Sequence, residues 1–108
     1  MEIKYKKHIN TEDNRVEYLL INYDYIDGNE YLAKLFSEEY GFVMERKIDG
    51  LWYSIIRIHL DGSTYELLWH EDTGNEIYCL NQTGEENDML QKRLEKVLSI
   101  LNNRIKEE

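Results

Sequence analysis

The sequence has no proline, one cysteine and one alanine, Ala33, among its 108 residues. A lone Cys79 excludes an internal disulfide. A secreted domain this small is more often bridged, so a reducing, cytoplasmic compartment is expected. Charge begins at residue 2 and no apolar segment follows, so no secretory leader is expected. Apolar runs such as Tyr18 to Ile21 are strand-sized, far short of the ~20 residues of a membrane helix, and a membrane partner is not expected. Also missing are G-x-G-x-x-G, the phosphate-binding loop pattern, H-E-x-x-H, G-x-S-x-G and C-x-x-C. Their absence argues against an enzyme of a common class and against a cofactor or metal.

Positive charge is scarce as well. There are 13 Lys and Arg against 22 Asp and Glu, a net charge of -9. Binding to free nucleic acid needs a surplus of cations for the phosphates, so free nucleic acid is not an expected partner. The field of such a chain steers in a basic protein instead. Acidity that merely aids solubility is the plainer reading. Ile, Asn, Lys, Tyr and Glu are heavily used. Their codons are AT-rich, which points to a low-GC bacterium or its phage.

At 42% hydrophobic, the chain can bury roughly 65% of its unfolded surface as one unit. Residues 1–108 are therefore read as a single α+β domain. A first helix is expected from Gly28 to Tyr40. Asp27 and Glu30 give its capping pattern, Leu32, Leu35, Phe36 and Tyr40 its apolar face, and Gly41 its left-handed end.

Four strand-like runs follow: Phe42 to Ile48, Leu51 to Leu60, Thr64 to Glu71 and Glu76 to Leu80. Asp49-Gly50 and Asp61-Gly62 suit two-residue hairpin turns with positive φ at both corners, and residues 72–75 form a third turn. Such turns fix register. One face then collects Val43, Trp52, Ile56, Ile58, Leu60, Tyr65, Leu67, Trp69, Tyr78 and Leu80 as a core layer. The other collects Met44, Arg46, Tyr53, Ile55, Arg57, His59, Glu66, Leu68, His70, Ile77 and Cys79, with Arg57 paired to Glu66.

A long last helix runs from Gly84 to Lys106, with Thr83 and Glu86 as a capping box and Leu90, Leu94, Val97, Leu98, Leu101 and Ile105 as its stripe. Its length of roughly 34 Å matches a strand of roughly 33 Å, so it should lie along the core face; a coiled-coil dimer is the rival use of the stripe. The first 26 residues alternate like a hairpin turning at Asn10 to Asn14, although Val16, Leu19, Leu20 and Tyr23 also fit a helix. The expected fold is α+β: an antiparallel meander of four to six strands, packed on one face by a long C-terminal helix, with a shorter helix before the meander.

For chemistry, His59 and His70 share the mixed face with Cys79, Glu66 and Tyr53 in this register, but Cys79 lies opposite Leu68 and His70 is only diagonal. A cysteine nucleophile or a zinc site would need closer partners. Lys4, Lys6, Lys7 and His8 form a basic strip and Tyr53, Arg46 and Arg57 could stack bases, but no RNA-binding glycine–aromatic pattern is present. Nine tyrosines suit an interface as well as codon bias. Carboxylates fall into groups: Asp24, Asp27, Glu30, Glu38 and Glu39; then Glu71, Asp72 and Glu76; then Glu85, Glu86 and Asp88. A solvated face or helix-start charge is the plain reading of each; the rival reading is a partner surface, for which the groups could converge at one edge.

The resulting expectation is a small acidic inhibitor of immunity-protein or phage type. It blocks a basic, nuclease-like partner through Glu71, Asp72, Glu76, Glu85, Glu86, Asp88, Tyr53 and His70. The alternative is a non-enzymatic assembly or chaperone-like module, or a homodimer through the mixed face around Met44, Ile55, Leu68 and Ile77.

Overall fold

The computed structural model describes residues 1–107, which form six strands and two helices. In chain order these are β1 (Lys4–Asn10), β2 (Arg15–Ile21), α1 (Gly28–Tyr40), β3 (Val43–Asp49), β4 (Tyr53–Leu60), β5 (Ser63–His70), β6 (Gly74–Cys79) and α2 (Gly84–Glu107). The strands make one antiparallel sheet in the order β1-β2-β6-β5-β4-β3, an α+β fold. The N-terminal hairpin forms as its alternation requires, turning between Asn10 and Arg15. Asn10 Oδ1 accepts from the Glu12 and Asp13 amides across that turn.

Both helices cover one face. Ile56 and Ile58 of β4, Tyr65 and Leu67 of β5, Ile77 and Cys79 of β6 and Tyr18 and Leu20 of β2 meet Leu32, Leu35 and Phe36 of α1 and Leu90, Leu94, Val97, Leu98 and Leu101 of α2. These side chains are withdrawn from water, and that burial is the main stabilising term. Phe36, Phe42 and Tyr65 interlock edge-on or tilted, with ring centroids 5.0–6.0 Å apart. Such pairs add about 0.5–1.5 kcal/mol beyond their area. Tyr65 and Tyr18 keep their hydroxyls satisfied in the interior: Arg93 Nη1 donates to Tyr65 Oη (2.8 Å), and Tyr18 donates to the Asn87 carbonyl (3.0 Å).

The ends of the helices follow the sequence in part. Gly41 ends α1 at φ 87° and Thr83 Oγ1 accepts from the Glu86 amide at the start of α2. The reciprocal arm of that box is not used, because the Glu86 carboxylate instead accepts from the Ser63 hydroxyl at 2.9 Å. Asp27 precedes α1, but its side chain makes no capping bond.

Register corrects the face assignments at three places. Leu60 lies opposite Ser63 and Arg57 opposite Glu66, as a two-residue Asp61-Gly62 turn demands, with Asp61 rather than Gly62 in the left-handed region (φ 52°). At the next turn the loop is Glu71-Asp72-Thr73, closed by Gly74 at φ 78°. Three-residue hairpin loops take a left-handed glycine at this point. Cys79 therefore pairs with Tyr65 and Ile77 with Leu67, and the whole of β6 is turned over relative to the longer loop. Ile77 and Cys79 belong to the core, and Tyr78 and Glu76 to the open face. Between Met44 and Arg46 a bulge shifts β3, placing Val43 beside His59 on the open side and leaving both Val43 and Met44 exposed. Finally, Gly50 N–H donates to the Tyr53 carbonyl (2.8 Å) and Asp49 lies opposite Ser54. Leu51 and Trp52 occupy the corners of that turn, so Trp52 is a turn residue and not part of the core.

Candidate functional site

The sheet has a covered face and an open face, and each could serve a partner. At the middle of the open face two pairs of charges are spent on one another. Arg57 donates from Nε and Nη2 to Glu66 Oε2 (3.1 and 2.9 Å), and Tyr78 donates to Glu66 Oε1 (2.8 Å). Arg15 donates from Nε to Glu17 (3.0 Å), with its guanidinium 3.8 Å from the Tyr78 ring centroid. This lattice buries Glu17 and Tyr78 without a covering helix. A mixed patch centred on Met44, Ile55, Leu68 and Ile77 does not exist, since Ile77 is in the core and Met44 lies beyond the bulge.

One open-face carboxylate is left over. Glu76 stands between Leu19 on β2 and Leu68 on β5 and makes no side-chain hydrogen bond among the described residues. Burial, reinforced by the Glu17 charge and opposed by Arg15, pushes it up to about 7 from 4.5. A carboxyl raised on folding binds its proton more tightly in the native chain. Its stabilising effect is full below pH 4.5 and is lost as the pH rises through 7. A shift of this size corresponds to about 3 kcal/mol at 1.36 kcal/mol per unit; partial exposure discounts it to on the order of 1–2 kcal/mol. Glu76→Gln is therefore expected to gain about that much at pH 8 and nothing at pH 4, read from urea denaturation at the two values. Equal gains at both would remove titration as the cause.

Cys79 is buried in the core. Its thiol lies under α2, 3.4 Å from the Glu86 carbonyl, and burial pushes it up to about 12. His70 is on the opposite face, where its Nδ1 accepts from the Asp72 amide (3.0 Å). Among the described residues no three His, Cys, Asp or Glu side chains are grouped to hold a metal ion. No helix is long and apolar enough to cross a membrane among the described residues.

The expected partner-binding residues divide between the two ends of the sheet. Glu85, Glu86 and Asp88 open α2 beside the β4–β5 turn, where Glu86 is held by Ser63. Tyr53, His70, Glu71 and Asp72 are at the other end of β5, about 24 Å away along an eight-residue strand. Glu76 lies on the open face between them. The carboxylates thus do not converge at one edge.

The second end has what the first lacks. Three segments meet there: the loop of residues 22–27, the β3–β4 turn and the β5–β6 turn. The Glu71 amide donates to the Trp52 carbonyl (3.0 Å), tying the two turns. Trp69 Nε1 donates to the Asp24 carbonyl (3.1 Å), tying the loop to the sheet. Buried Asn75 donates from Nδ2 to the carbonyls of Tyr23 (2.9 Å) and Tyr25 (3.0 Å), and buried Asn29 from Nδ2 to the Ser54 carbonyl (3.1 Å). On this fixed base Leu51 (81%), Ile26 (67%), Tyr25 (64%) and Trp52 (55%) stand exposed, with Tyr53 (39%). Asp27, Glu30 and Asp49 line one cleft with Ile26, Leu51 and Tyr53, Asp24 lines another with Tyr25, and Glu71 and Asp72 follow in the β5–β6 turn; Lys47 is already bound to Glu30.

Sequence reasoning missed Tyr25, Ile26, Leu51 and Trp52; two large apolar residues directly after an Asp-Gly pair were the available signal. A cluster of exposed aromatic and aliphatic anchors ringed by polar groups is the anatomy of a protein interface. No family model, no curated protein and no solved structure matches the chain.

Proposed function

We propose that the chain is a small acidic inhibitor, of the immunity-protein or phage-inhibitor kind, acting in a bacterial cytoplasm. It engages a basic, nuclease-like protein through the end of the sheet that carries Trp52, Tyr53, Glu71 and Asp72. The observation that carries this reading is the coincidence of exposed Tyr25, Ile26, Leu51 and Trp52 with six carboxylates on one hydrogen-bonded base. Aromatic anchors supply contact energy once desolvated. The surrounding carboxylates speed encounter with a cationic surface and reject acidic ones. They would occupy the positions that nucleic-acid phosphates take on such a partner. The acidic start of α2 adds to the long-range field but lies outside the contact.

The open face is a poorer candidate for self-association, because Arg15, Glu17, Arg57 and Glu66 at its middle are already paired within the chain.

The test uses the product of the adjacent reading frame, purified, as the candidate partner. Tight 1:1 binding is expected, with loss of the partner's activity and an affinity that falls on the order of tenfold or more from 50 mM to 500 mM salt. A partner bound with no salt dependence would remove the electrostatic part of the proposal. Failure of any basic protein to bind at low salt would remove all of it.

A further inference from the structure

Between the start of α1 and the β3–β4 hairpin lies a cleft of about 300 Å³. Ile26, Leu51, Tyr53 and Trp69 supply its apolar lining, and Asp27, Glu30 and Asp49 line it as well. Lys47 is the one cation among its described lining residues. It reaches across from β3 to bind Glu30 and lies 3.9 Å from Asp49.

The cleft is held open by its surroundings. Trp69 is fixed through its indole N–H to Asp24, Asn29 anchors the first turn of α1 to Ser54 below, and the Tyr53 ring fills the space above Gly50. Glu30 is at an acid-favoured helix start, yet its carboxylate is turned to Lys47. Asp27 makes no cap with its own. Neither acid is used up by the helix backbone.

We infer that this cleft seats one arginine side chain of the basic partner, which displaces Lys47 from Glu30. The inference rests on the partner proposed above and states how it is gripped. Charge selects a cation. The flat aromatic walls select guanidinium over ammonium, because a planar, weakly hydrated cation stacks on Trp and Tyr and still offers N–H groups edgewise to carboxylates. Lys47 is a poorer occupant: its ammonium is a point charge on an exposed surface pair, and such pairs contribute little. It offsets one of the three carboxylate charges in the free protein and gives way at low cost.

The experiment needs no partner. The full chain, labelled with ¹⁵N, is titrated with N-acetyl-arginine methylamide and with the uncharged isostere N-acetyl-citrulline methylamide. Saturable shifts are expected for the arginine compound at the Trp69 indole N–H and the amides of Ile26, Glu30 and Leu51. The citrulline compound should leave these signals in place. Lys47→Met should tighten binding of the arginine compound about fivefold, the scale of one exposed ion pair. Lys92→Met, which makes the same charge change on the exposed side of α2, should change it less than about twofold at this distance.

An equal response to citrulline, shifts spread over the α2 start as well, or equal effects of the two lysine variants would overturn the inference. A silent probe beside a bound, salt-sensitive partner would sink the cleft and leave the function standing. Cleft binding with no basic partner found would do the reverse.

Discussion

Gly28→Ala is expected to destabilise the protein by about 3 kcal/mol, although alanine is the better helix former. At the first position of α1 the propensity gain is at most about 1 kcal/mol. Against it stands space. A Cβ on Gly28 would lie 2.7 Å from Asn75 Nδ2 and 2.8 Å from the Tyr23 ring. Both neighbours are buried, and neither can swing away into water. Overpacking of this kind costs about 1–3 kcal/mol. The cost does not stop at the clash. Asn75 Nδ2 is the donor for the carbonyls of Tyr23 and Tyr25, and Tyr23 donates to the Gly28 carbonyl itself. A displaced Asn75 strands acceptors that each cost about 1–3 kcal/mol when left dry.

The net loss should lower Tm by roughly 10–20 °C for a domain of this size, read by circular dichroism. Gly62→Ala is the reference, since a Cβ there would meet nothing within 4 Å and its effect should stay within about 0.5 kcal/mol. A Gly28→Ala protein as stable as the parent would show that residues 22–27 yield easily. The proposed binding end would then lack the rigid base assigned to it.

The elements that could be read from sequence are those written in short-range chemistry. Gly41 ends α1 because only the left-handed region turns the chain there, and Asp61-Gly62 sets β4 against β5 so that Arg57 meets Glu66. The N-terminal hairpin and the helix stripe follow from periods of two and 3.6. What could not be read depends on single residues whose effect is inverted by parity. Whether the β5–β6 loop holds three residues or four decides which side of β6 is greasy, and the pattern Glu76-Ile77-Tyr78-Cys79 has an apolar candidate on both sides. Gly74 at φ 78° selects the shorter loop, but in sequence Asp72 to Asn75 reads as turn-forming throughout. The bulge after Met44 has no signature at all.

The same limit divides the site. Tyr53, His70, Glu71 and Asp72 were legible as an acidic, aromatic group at the sheet end. Glu85, Glu86 and Asp88 share their composition but lie a strand length away. The pinning of residues 22–27 by Asn75, from fifty residues further on, is a tertiary fact that no local pattern announces.

Trp52→Ala is expected to weaken partner binding by at least thirtyfold while leaving Tm within about 2 °C. The two halves of that expectation have one origin. Trp52 is 55% exposed at a turn corner, and its backbone carbonyl, not its ring, takes the Glu71 amide. Removing the indole therefore leaves no cavity and no unsatisfied group in the free protein. In the proposed complex the ring would be the largest desolvated side chain at the end of the sheet, next in sequence to Leu51 and Tyr53. Tryptophans so placed cost about 2–4 kcal/mol on truncation, which is thirtyfold or more in Kd.

Carboxylates at the rim behave otherwise. Asp72→Asn should reduce affinity only several-fold, chiefly through slower association, and its effect should fade at high salt. The Trp52 effect should persist there, since apolar burial is not screened. Calorimetry or surface binding at 50 mM and 500 mM salt separates the two. If Trp52→Ala and Asp72→Asn lose affinity equally and both recover in salt, the contact is electrostatic alone, and the exposed apolar cluster at this end does something other than hold the partner.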